Sequence, residues 1–473
     1  GVKRGGHVAV LMLNRPEYVF AIHALARLGA VLVPLNTRLT ETELRWQADH
    51  ADCTVVLCSK ETEAQAMPLF PRRKIPGTMP AEPEDTTAPS TKGHFFERRV
   101  LLSVDEPTKP VVKALAVVEP VALPVRNFKL SAMQSIVFTS GTMGYPKGVM
   151  LTFENLFWSA TASAARLGSL PDDRWLLCMP LYHVGGMSIV FRCCLYGTAV
   201  VLMEKFETEQ VNKVLETDGV TLASFVPTML KRLLDVRRGD APRSLRAVLL
   251  GGAAASPDLL AQAFAAGWLL AVTYGLTEAC SQVATMGVGE ARGKAGSVGK
   301  PLMFTEVRIV GGQAGSLHSE GEIVVRGPGV MRGYYRNEEA TDLALREGWL
   351  WTGDVGYLDA EGDLWIVDRR GDLIVTGGEN VAPTEVERVL LAFPGVREAC
   401  VVGVTDAEWC QRVVAVIVGE VDREALIRHC RGHLAGYKIP REVRFVDALP
   451  QTASGKVKRG EVRRGLEVEG GCV

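Results

Sequence analysis

The sequence lacks the features that mark membrane-spanning and nucleic-acid-binding proteins. Its longest apolar runs, such as residues 199–203 and 268–272, are far shorter than the roughly 20 residues that a membrane-spanning helix needs. Its 53 Lys and Arg residues nearly balance 54 Asp and Glu residues, so the formal net charge is -1. Because a balanced chain has no global basic field, nucleic acid is a poor candidate for its main partner. The sequence also opens without a charged and then apolar leader, which predicts a cytoplasmic protein.

Cysteine and histidine form no metal-binding pattern. Ten cysteines are spread over 473 residues without a Cys-x-x-Cys pair, and the eight histidines do not cluster near them. A structural zinc site therefore has no support. Cysteines within apolar runs, as in 175–180, are better interpreted as small buried hydrophobic residues, which favours a reducing compartment.

The hydrophobic pattern predicts an α/β protein with two unequal domains. Strand and helix patterns alternate over the first 60 residues and again from Gln134 to Thr273, which is typical of parallel sheets covered by helices. From Thr305 the spacing shortens and glycine becomes frequent, which indicates the hairpins of a small β subdomain. The last hundred residues return to α/β patterning. We therefore expect a large multi-layer N-terminal domain over 1–368 and a smaller, mobile α/β domain over 369–473.

Local signals predict individual elements in some parts of the chain and none in others. The pattern predicts a strand at His7–Asn14, a helix at Pro16–Gly29 that begins with proline, and a helix at 41–50. Between residues 61 and 130 no sustained period is visible, and 67–92 contains six prolines. We interpret 61–130 as an irregular segment or an insertion.

The clearest local motif is a glycine-rich loop after an apolar strand, Thr139-Ser-Gly-Thr-Met-Gly-Tyr-Pro-Lys-Gly148. Its glycines allow the backbone to approach an anion closely, its hydroxyls can donate to phosphate oxygens, and Lys147 adds positive charge. It is not a Walker A loop, because Pro146 precedes the lysine and Gly148 follows it. A short glycine-rich stretch can also be a solvated surface turn, so the loop alone does not decide the function.

Further motifs follow this loop in order, up to residue 456. They are Met179-Pro-Leu-Tyr-His183, Leu250-Gly-Gly-Ala253, Thr273-Tyr-Gly-Leu-Thr-Glu278, Gly321-Glu-Ile-Val-Val-Arg326, Trp351-Thr-Gly-Asp354, Asp368-Arg369, Gly377-Gly-Glu-Asn380 and Ser454-Gly-Lys456. The ordered series resembles the adenylate-forming superfamily of acyl-CoA synthetases, adenylation domains and firefly luciferases. Within the superfamily, stretches such as 152–159 and 277–282 are similar to the 2-succinylbenzoate–CoA ligase family.

The resemblance implies a two-step ligation that uses ATP, Mg²⁺ and coenzyme A. A carboxylate is a poor acyl donor, so ATP first converts it to an acyl-adenylate, and the thiol of coenzyme A then displaces AMP. The acid would be 2-succinylbenzoate, on the route to menaquinone or phylloquinone. The resemblance assigns nucleotide contacts to Thr139, Ser140, Gly141, Thr142, Gly144, Lys147, Gly252, Ala253, Tyr274, Gly275, Asp354 and Arg369. Among them, Tyr274 would place its ring against adenine and Asp354 would accept the ribose hydroxyls.

The resemblance also implies catalytic, substrate and channel residues. Thr277 would contact the α-phosphate, Glu278 would hold Mg²⁺, His183 would orient the acyl carboxylate, and Lys456 would reach the α-phosphate during adenylation. The residues expected beside the acyl group are His183, Lys205, Gly251 and Ser297, with Lys205 as a candidate partner for the second carboxylate of a dicarboxylic acid. The residues expected at the coenzyme A channel and hinge are Gly371, Gly377, Gly378 and Lys438.

Three alternatives remain open at this point. The protein could be another acyl- or aryl-CoA synthetase, or an adenylation module that loads a carrier protein, although no carrier-like domain follows Lys456. It could also bind nucleotide without turnover, because Met143 stands where the superfamily usually has threonine. The expected partners are small molecules, with a homo-oligomer as a further option.

Overall fold

Three β-sheets organise the residues that the structure describes, two in the N-terminal part and one in the C-terminal part. The structure is a computed structural model. It describes residues 2–69, 100–105, 113–114, 129–139, 146–237, 239–294, 296–311, 319–369, 373–450 and 457–470. We call 2–369 the large domain and the part built around the third sheet, from residue 373 onward, the small domain.

The first sheet is mostly parallel. Its strands are β1 (His7–Leu11), β2 (Val31–Pro34), β3 (Cys53–Cys58), β4 (Val100–Ser103), β5 (Lys113–Ala114), β6 (Met133–Thr139), β7 (Lys147–Thr152) and β17 (Gly333–Tyr334). They lie in the order β17-β7-β6-β2-β1-β3-β4-β5. Only β7 is antiparallel to its neighbours, β6 and β17. The β6–β7 hairpin therefore carries the two ends of the glycine-rich loop at one edge of the sheet.

The second sheet joins a parallel half to an antiparallel half. Its strands are β8 (Arg174–Leu177), β9 (Ala199–Leu202), β10 (Leu222–Phe225), β11 (Ala247–Leu250), β12 (Leu270–Leu276), β13 (Ser281–Thr285), β14 (Ser297–Pro301), β15 (Glu306–Val310), β16 (Gly321–Arg326), β18 (Leu345–Arg346), β19 (Trp349–Leu358) and β20 (Leu364–Arg369). Strands β9, β8, β10, β11 and β12 are parallel, and pairing is antiparallel from β12 onward through β13, β14, β20, β19, β16 and β15.

The small domain has a mixed sheet. Its strands are β21 (Ile374–Thr376), β22 (Glu379–Val381), β23 (Val396–Asp406), β24 (Cys410–Gly419) and β25 (Glu442–Phe445). The long β23–β24 hairpin forms its centre, and β25 adds to β24 in parallel. Strand β20 runs to Arg369, so the second sheet continues one residue past the boundary predicted at 368, and residues 370–372 lie outside the described part.

Helices cover the sheets as the alternating pattern predicts. In the described residues they are α1 (Pro16–Leu28), α2 (Glu41–His50), α3 (Glu63–Ala66), α4 (Phe153–Leu167), α5 (Val184–Tyr196), α6 (Thr208–Thr217), α7 (Pro227–Val236), α8 (Pro257–Ala265), α9 (Glu338–Ala344), α10 (Pro383–Leu391), α11 (Arg423–His433) and α12 (Arg459–Gly470). Short 3-10 turns lie at Met67–Leu69, Thr277–Ala279, Glu290–Arg292 and Gly436–Lys438. None of these helices combines the length and apolar character needed to cross a lipid bilayer.

Local sequence signals explain where the early helices begin and end. Helix α1 starts at Pro16 and ends before Gly29, whose φ of 70° is the left-handed conformation that glycine adopts without strain. Helix α2 starts after Thr40, whose side chain and that of Glu43 form a reciprocal capping box. Both helices therefore match their predicted ranges. The α/β class predicted from the sequence is confirmed.

The interpretation of residues 61–130 as irregular is wrong where the structure describes them. Residues 63–69 are helical, and strands β4 and β5 extend the first sheet in parallel register next to β3. Four- and two-residue strands are too short to show a period, so the pattern could not reveal them. The proline-rich stretch lies mostly at 70–99, outside the described residues.

A buried carboxylate ties together the N-terminal ends of three parallel strands of the second sheet. Asp173, 2% exposed, precedes β8 and accepts hydrogen bonds from Arg246 before β11, at 2.7 and 2.5 Å, and from Thr221 before β10, at 2.8 Å. Burial raises the pKa of Asp173, but Arg246 and the other donors more than offset this and lower it. The opposite, C-terminal ends of these strands remain available for a ligand, which is where open α/β sheets bind one.

We predict that Asp173→Asn destabilises the protein by about 2–3 kcal/mol, because Arg246 loses its charged acceptor. The folded-state pKa of Asp173 is below its ordinary value of 3.8, so its stabilisation is complete above that value and is lost as pH falls through the folded pKa. Urea unfolding at pH 7 and at successively lower pH below 3.8 should show the variant converging on wild type as the folded pKa is passed. Asp172→Asn, at an exposed neighbouring carboxylate, should change stability little. Equal losses in both variants would contradict the prediction.

Candidate active site

A cavity of about 720 Å³ lies between the C-terminal ends of the parallel strands and the small domain. Residues that follow strands β8, β10 and β11 line it, as the topology predicts. Its predicted site residues and their neighbours are Thr139, Lys147, His183, Arg192, Gly251, Gly252, Gly275, Thr277, Glu278, Ser281, Gln282 and Asp354 from the large domain, and Gly378, Glu379 and Lys438 from the small domain. The chain therefore brings most of its described candidate residues to one place.

One end of the cavity holds opposite charges around an aromatic ring. The Nζ atom of Lys147 lies 4.5 Å from the ring centroid of Tyr334, and the Tyr334 hydroxyl donates a 2.9 Å hydrogen bond to Glu278 Oε1. Burial lowers the pKa of Lys147, partly opposed by Glu278, and burial together with Glu278 raises the pKa of Tyr334. A desolvated lysine beside one carboxylate suits a phosphate group with its metal ion.

The same cluster fits Mg²⁺. This ion is usually held by one or two carboxylates together with substrate phosphates and waters, not by an all-protein cage. Glu278 provides one carboxylate, and no group of three His, Cys, Asp or Glu side chains able to hold a metal occurs among the described residues. The donor set therefore suits an ion that arrives with a nucleotide.

A second cavity, of about 640 Å³, adjoins the first and collects the residues predicted for the nucleoside. Gly252, Ala253, Tyr274 and Gly275 line it, and so does Ser297. The Tyr274 hydroxyl donates a 2.6 Å hydrogen bond to Asp354 Oδ2. Ser297, expected beside the acyl group, instead lies with the nucleoside residues, and its hydroxyl donates to the backbone oxygen of Leu364.

The wall of the first cavity also contains a residue that the sequence did not reveal. Arg192, on α5, is 1% exposed and lines the cavity beside Ser281 and Gln282. Its Nη2 is 3.4 Å from Ser281 Oγ, its Nε has no hydrogen-bond partner, and no carboxylate pairs with it in the part of the chain that the structure describes. Burial lowers its pKa. The only signal in the sequence was a single arginine within an apolar helix.

Two glycines line the same cavity as Arg192. Gly185 lies seven residues before Arg192 and therefore on the same helix face, and both line the cavity. Gly251, predicted beside the acyl group, also lines it, and a Cβ atom there would lie 2.6 Å from Thr273 Cγ2. His183, the residue that precedes α5, completes this wall.

Residues of the small domain close the cavity through buried charges. Glu379 is 4% exposed and accepts from Arg38 Nη1 at 3.1 Å, while its other oxygen lies 3.1 Å from His183 Nε2. Lys438 is 3% exposed and donates to Glu43 at 2.6 Å and to Glu385 at 2.8 Å. Lys438, predicted at the channel or hinge, thus forms part of the contact between the domains.

The glycines before Glu379 form the tip of the β21–β22 hairpin. Gly377 and Gly378 have φ values of 58° and 84°, the left-handed region, so the tight turn depends on glycine. A Cβ atom on Gly378 would lie 3.3 Å from Val226 of the large domain. The hairpin tip therefore approaches the large domain at the cavity, where the channel was predicted.

Several predicted residues cannot be placed beside these groups. Ser140, Gly141, Thr142, Gly144, Gly371 and Lys456 lie outside the described residues, as does Met143. Of Arg369 only the backbone is described, and it pairs with Asp354 across β19 and β20. Lys205 is exposed and lines neither cavity, whereas Arg192 lines the first.

The geometry defines an enzyme that activates a substrate with a nucleotide, and the chain belongs to the AMP-binding enzyme family. The family's sequence profile matches residues 1–335, and that of the AMP-binding enzyme C-terminal domain matches 385–456. More particularly, the chain is 41% identical over 471 residues to a 2-succinylbenzoate–CoA ligase of Bacillus cereus, covering 99% of this chain and 90% of the relative.

Two solved structures of o-succinylbenzoate CoA synthetase from Bacillus subtilis superpose on this chain to different extents. A double mutant bound to the product analogue OSB-NCoA is 35% identical and superposes with a TM-score of 0.84, and the complex with the acyl-adenylate OSB-AMP is 36% identical with a TM-score of 0.69. Both comparisons cover 98% of this chain and 89% of the other. Since the identities are nearly equal, the difference reflects how the chain is arranged. This chain is arranged more like the product-analogue complex.

We predict that Tyr274→Phe raises the KM for ATP about tenfold, because a hydrogen bond to the Asp354 carboxylate is lost. The KM for the carboxylic acid should stay within about twofold of wild type. ATP–pyrophosphate exchange at varied ATP measures the effect. Tyr335→Phe is the matched control, since its hydroxyl donates to Asp52 at 2.7 Å away from both cavities. An unchanged KM in Tyr274→Phe, or an equal rise in both variants, would refute the assignment.

Proposed function

We propose that the protein joins 2-succinylbenzoate to coenzyme A through an acyl-adenylate, with release of AMP and pyrophosphate. The observation that carries the choice of acid is Arg192, a buried cation on the wall of the reaction cavity with which no carboxylate of the described residues pairs. Two solved structures of one relative, described above with the acyl-adenylate OSB-AMP and the analogue OSB-NCoA, support the same chemistry.

Different residues assist different parts of the adenylation step. An oxygen of the acid attacks the α-phosphorus of ATP, the bond to the β-phosphate oxygen breaks, and pyrophosphate leaves with the electron pair. Lys147 supplies positive charge to the phosphates, and Thr277 supplies a hydroxyl for the α-phosphate. Glu278 would hold Mg²⁺, which neutralises the charge that develops on the phosphate oxygens. Lys456 would reach the same phosphate from the small domain.

The electrostatics of the acyl end select a diacid. A buried guanidinium without a counter-charge is costly, and a substrate with a second carboxylate removes that cost on binding. The aromatic ring of 2-succinylbenzoate can lie against apolar lining residues such as Phe225, Leu249 and Leu276. A fatty acid would instead place its chain against Arg192 and leave the charge unpaired.

The reducing interior of the cell is the location that best fits the chain. Nine cysteines in the described ranges are free thiols, and seven of them are buried. ATP and coenzyme A are also substrates of the cytoplasm. Fractionation of the native host, with activity in the soluble cytoplasmic fraction, would establish this location, and activity in an extracellular fraction would exclude it.

The direct test of the function is acid-dependent ATP–pyrophosphate exchange, followed by coenzyme A and mass detection of the thioester. Benzoate, octanoate and palmitate serve as competing acids. Exchange and thioester formation with 2-succinylbenzoate alone are expected. Exchange with another acid only would keep the reaction class and reject the substrate. Absence of exchange with every acid would reject the function.

We predict that Arg192→Met raises the KM for 2-succinylbenzoate about 100-fold, because the distal carboxylate loses a buried charged partner. The free protein should be as stable as wild type or more stable by about 1 kcal/mol, since an apolar chain replaces a buried charge that contacts Ser281 and the Trp175 ring but no carboxylate of the described residues. Exchange kinetics and urea unfolding of the ligand-free protein measure the two effects. A loss of stability with an unchanged KM would show that Arg192 is structural.

Lys205→Ala is the control for this assignment. Lys205 is exposed and outside both cavities, so its removal should leave the KM for 2-succinylbenzoate within about twofold of wild type. A large rise in Lys205→Ala and none in Arg192→Met would return the second carboxylate to Lys205.

A further inference from the structure

The buried carboxylate of Glu379, in the small domain, pairs with His183 on the wall of the reaction cavity. The carboxylate stands at the start of β22, directly after the turn at Gly377 and Gly378, and reaches across to the large domain. His183 itself is accessible, with 37% of its side chain exposed. The pair therefore joins a buried acid to an imidazole that a substrate in the cavity can reach.

The charges around Glu379 favour its ionised form. Burial raises its pKa, but His183 and then Arg38 more than offset this, so the pKa is lowered overall. The groups that face the pair are Arg38, Tyr182 and Tyr437, and behind Tyr437 lie Lys438, Glu43 and Glu385. An ionised carboxylate only accepts hydrogen bonds. His183 must then donate from Nε2, and in the neutral ring Nδ1 becomes the nitrogen that can accept a proton.

We propose that Glu379 is a positioning residue for thioester formation, holding His183 so that the imidazole takes the proton of the coenzyme A thiol. This role rests on the proposed function, because it requires an acyl-adenylate and a thiol in the cavity. It adds to the orientation of the acyl carboxylate that the resemblance implies for His183. Glu379 acts through His183 and need not touch either substrate.

The step balances with the groups already named. The thiol S–H bond breaks and its proton passes to His183, whose positive charge is then stabilised by Glu379. The thiolate attacks the carbonyl carbon of the acyl-adenylate, a C–S bond forms, and the carbon–oxygen bond to phosphate breaks. AMP leaves with that electron pair. The imidazolium returns its proton to solvent after the product departs.

The pair exists only while the small domain occupies the position seen here, because its two members belong to different domains. The chain in this arrangement superposes better on the product-analogue complex of the Bacillus subtilis enzyme than on its acyl-adenylate complex, with TM-scores of 0.84 and 0.69. The base would therefore be assembled for the second step and not for the first. This timing would keep His183 from being held as a base during adenylation.

The test compares wild type with Glu379→Gln in each half-reaction. The rate of thioester formation from preformed acyl-adenylate, relative to the rate of ATP–pyrophosphate exchange, should fall roughly 10- to 100-fold at pH 7. A thiol with an ordinary pKa near 8.5 is about 3% ionised at pH 7 and about 90% ionised at pH 9.5. The variant should therefore recover roughly 30-fold between these pH values and approach wild type. Glu379→Asp should restore part of the rate at pH 7.

Glu43→Gln provides the matched control for domain contact. It weakens the ion pair with Lys438 between the same two domains but leaves His183 and Glu379 intact, and glutamine can keep the capping box with Thr40. Its loss of thioester rate should be the same at every pH. A pH-independent loss in Glu379→Gln would overturn the proposal and leave Glu379 as a domain contact only.

The same experiment separates this proposal from the proposed function. If wild type shows no exchange with any acid, the function itself fails. If wild type forms the thioester and Glu379→Gln does so at the wild-type ratio at pH 7, only the role of Glu379 fails.

Discussion

The structure depends on buried charges that one domain supplies and the other domain neutralises. The contact holds three carboxylates, Glu43, Glu379 and Glu385, and two permanent cations, Arg38 and Lys438, with His183 beside them. Charges are costly to bury without partners. The small domain therefore rests where its charges meet their counterparts, and that position closes the cavity.

Pairing of charge also distinguishes the structural end of the second sheet from the reactive end. At the N-terminal ends of the parallel strands, Asp173 is fully occupied by Arg246 and Thr221. At the C-terminal ends, Arg192 is equally buried, and within the described ranges no carboxylate pairs with it. Arginine thus stabilises the sheet at one end, through Arg246. At the other end, Arg192 provides a buried positive charge that an anion can neutralise. Proteins retain a buried charge without a partner where a ligand supplies the opposite charge.

The sequence predicted the elements with strong local signals and the residues that belong to continuous motifs. Helices α1 and α2 carry proline, capping and glycine signals, and Lys147, Thr277 and Glu278 stand within motifs whose chemistry is local. The role of Arg192 as a site residue could not be predicted, because it depends on which face of α5 lines the cavity. Lys205 was a reasonable alternative for the same reason, as only folding shows which cation is buried. The pairing of Glu379 with His183, 196 positions apart, depends on how two domains meet.

Helix α5 connects the two ends of the acyl site. His183 precedes its first residue and Arg192 lies nine positions later, which separates their backbones by about 13 Å along the axis. Under the proposed function, this spacing would select among diacids by length, because a helix is rigid. An acid whose far carboxylate is held by Arg192 places its other carboxylate at His183 only if the spacing fits, and small misplacements of reacting groups lower the rate strongly. Substrate choice and catalytic orientation therefore follow from the same helix.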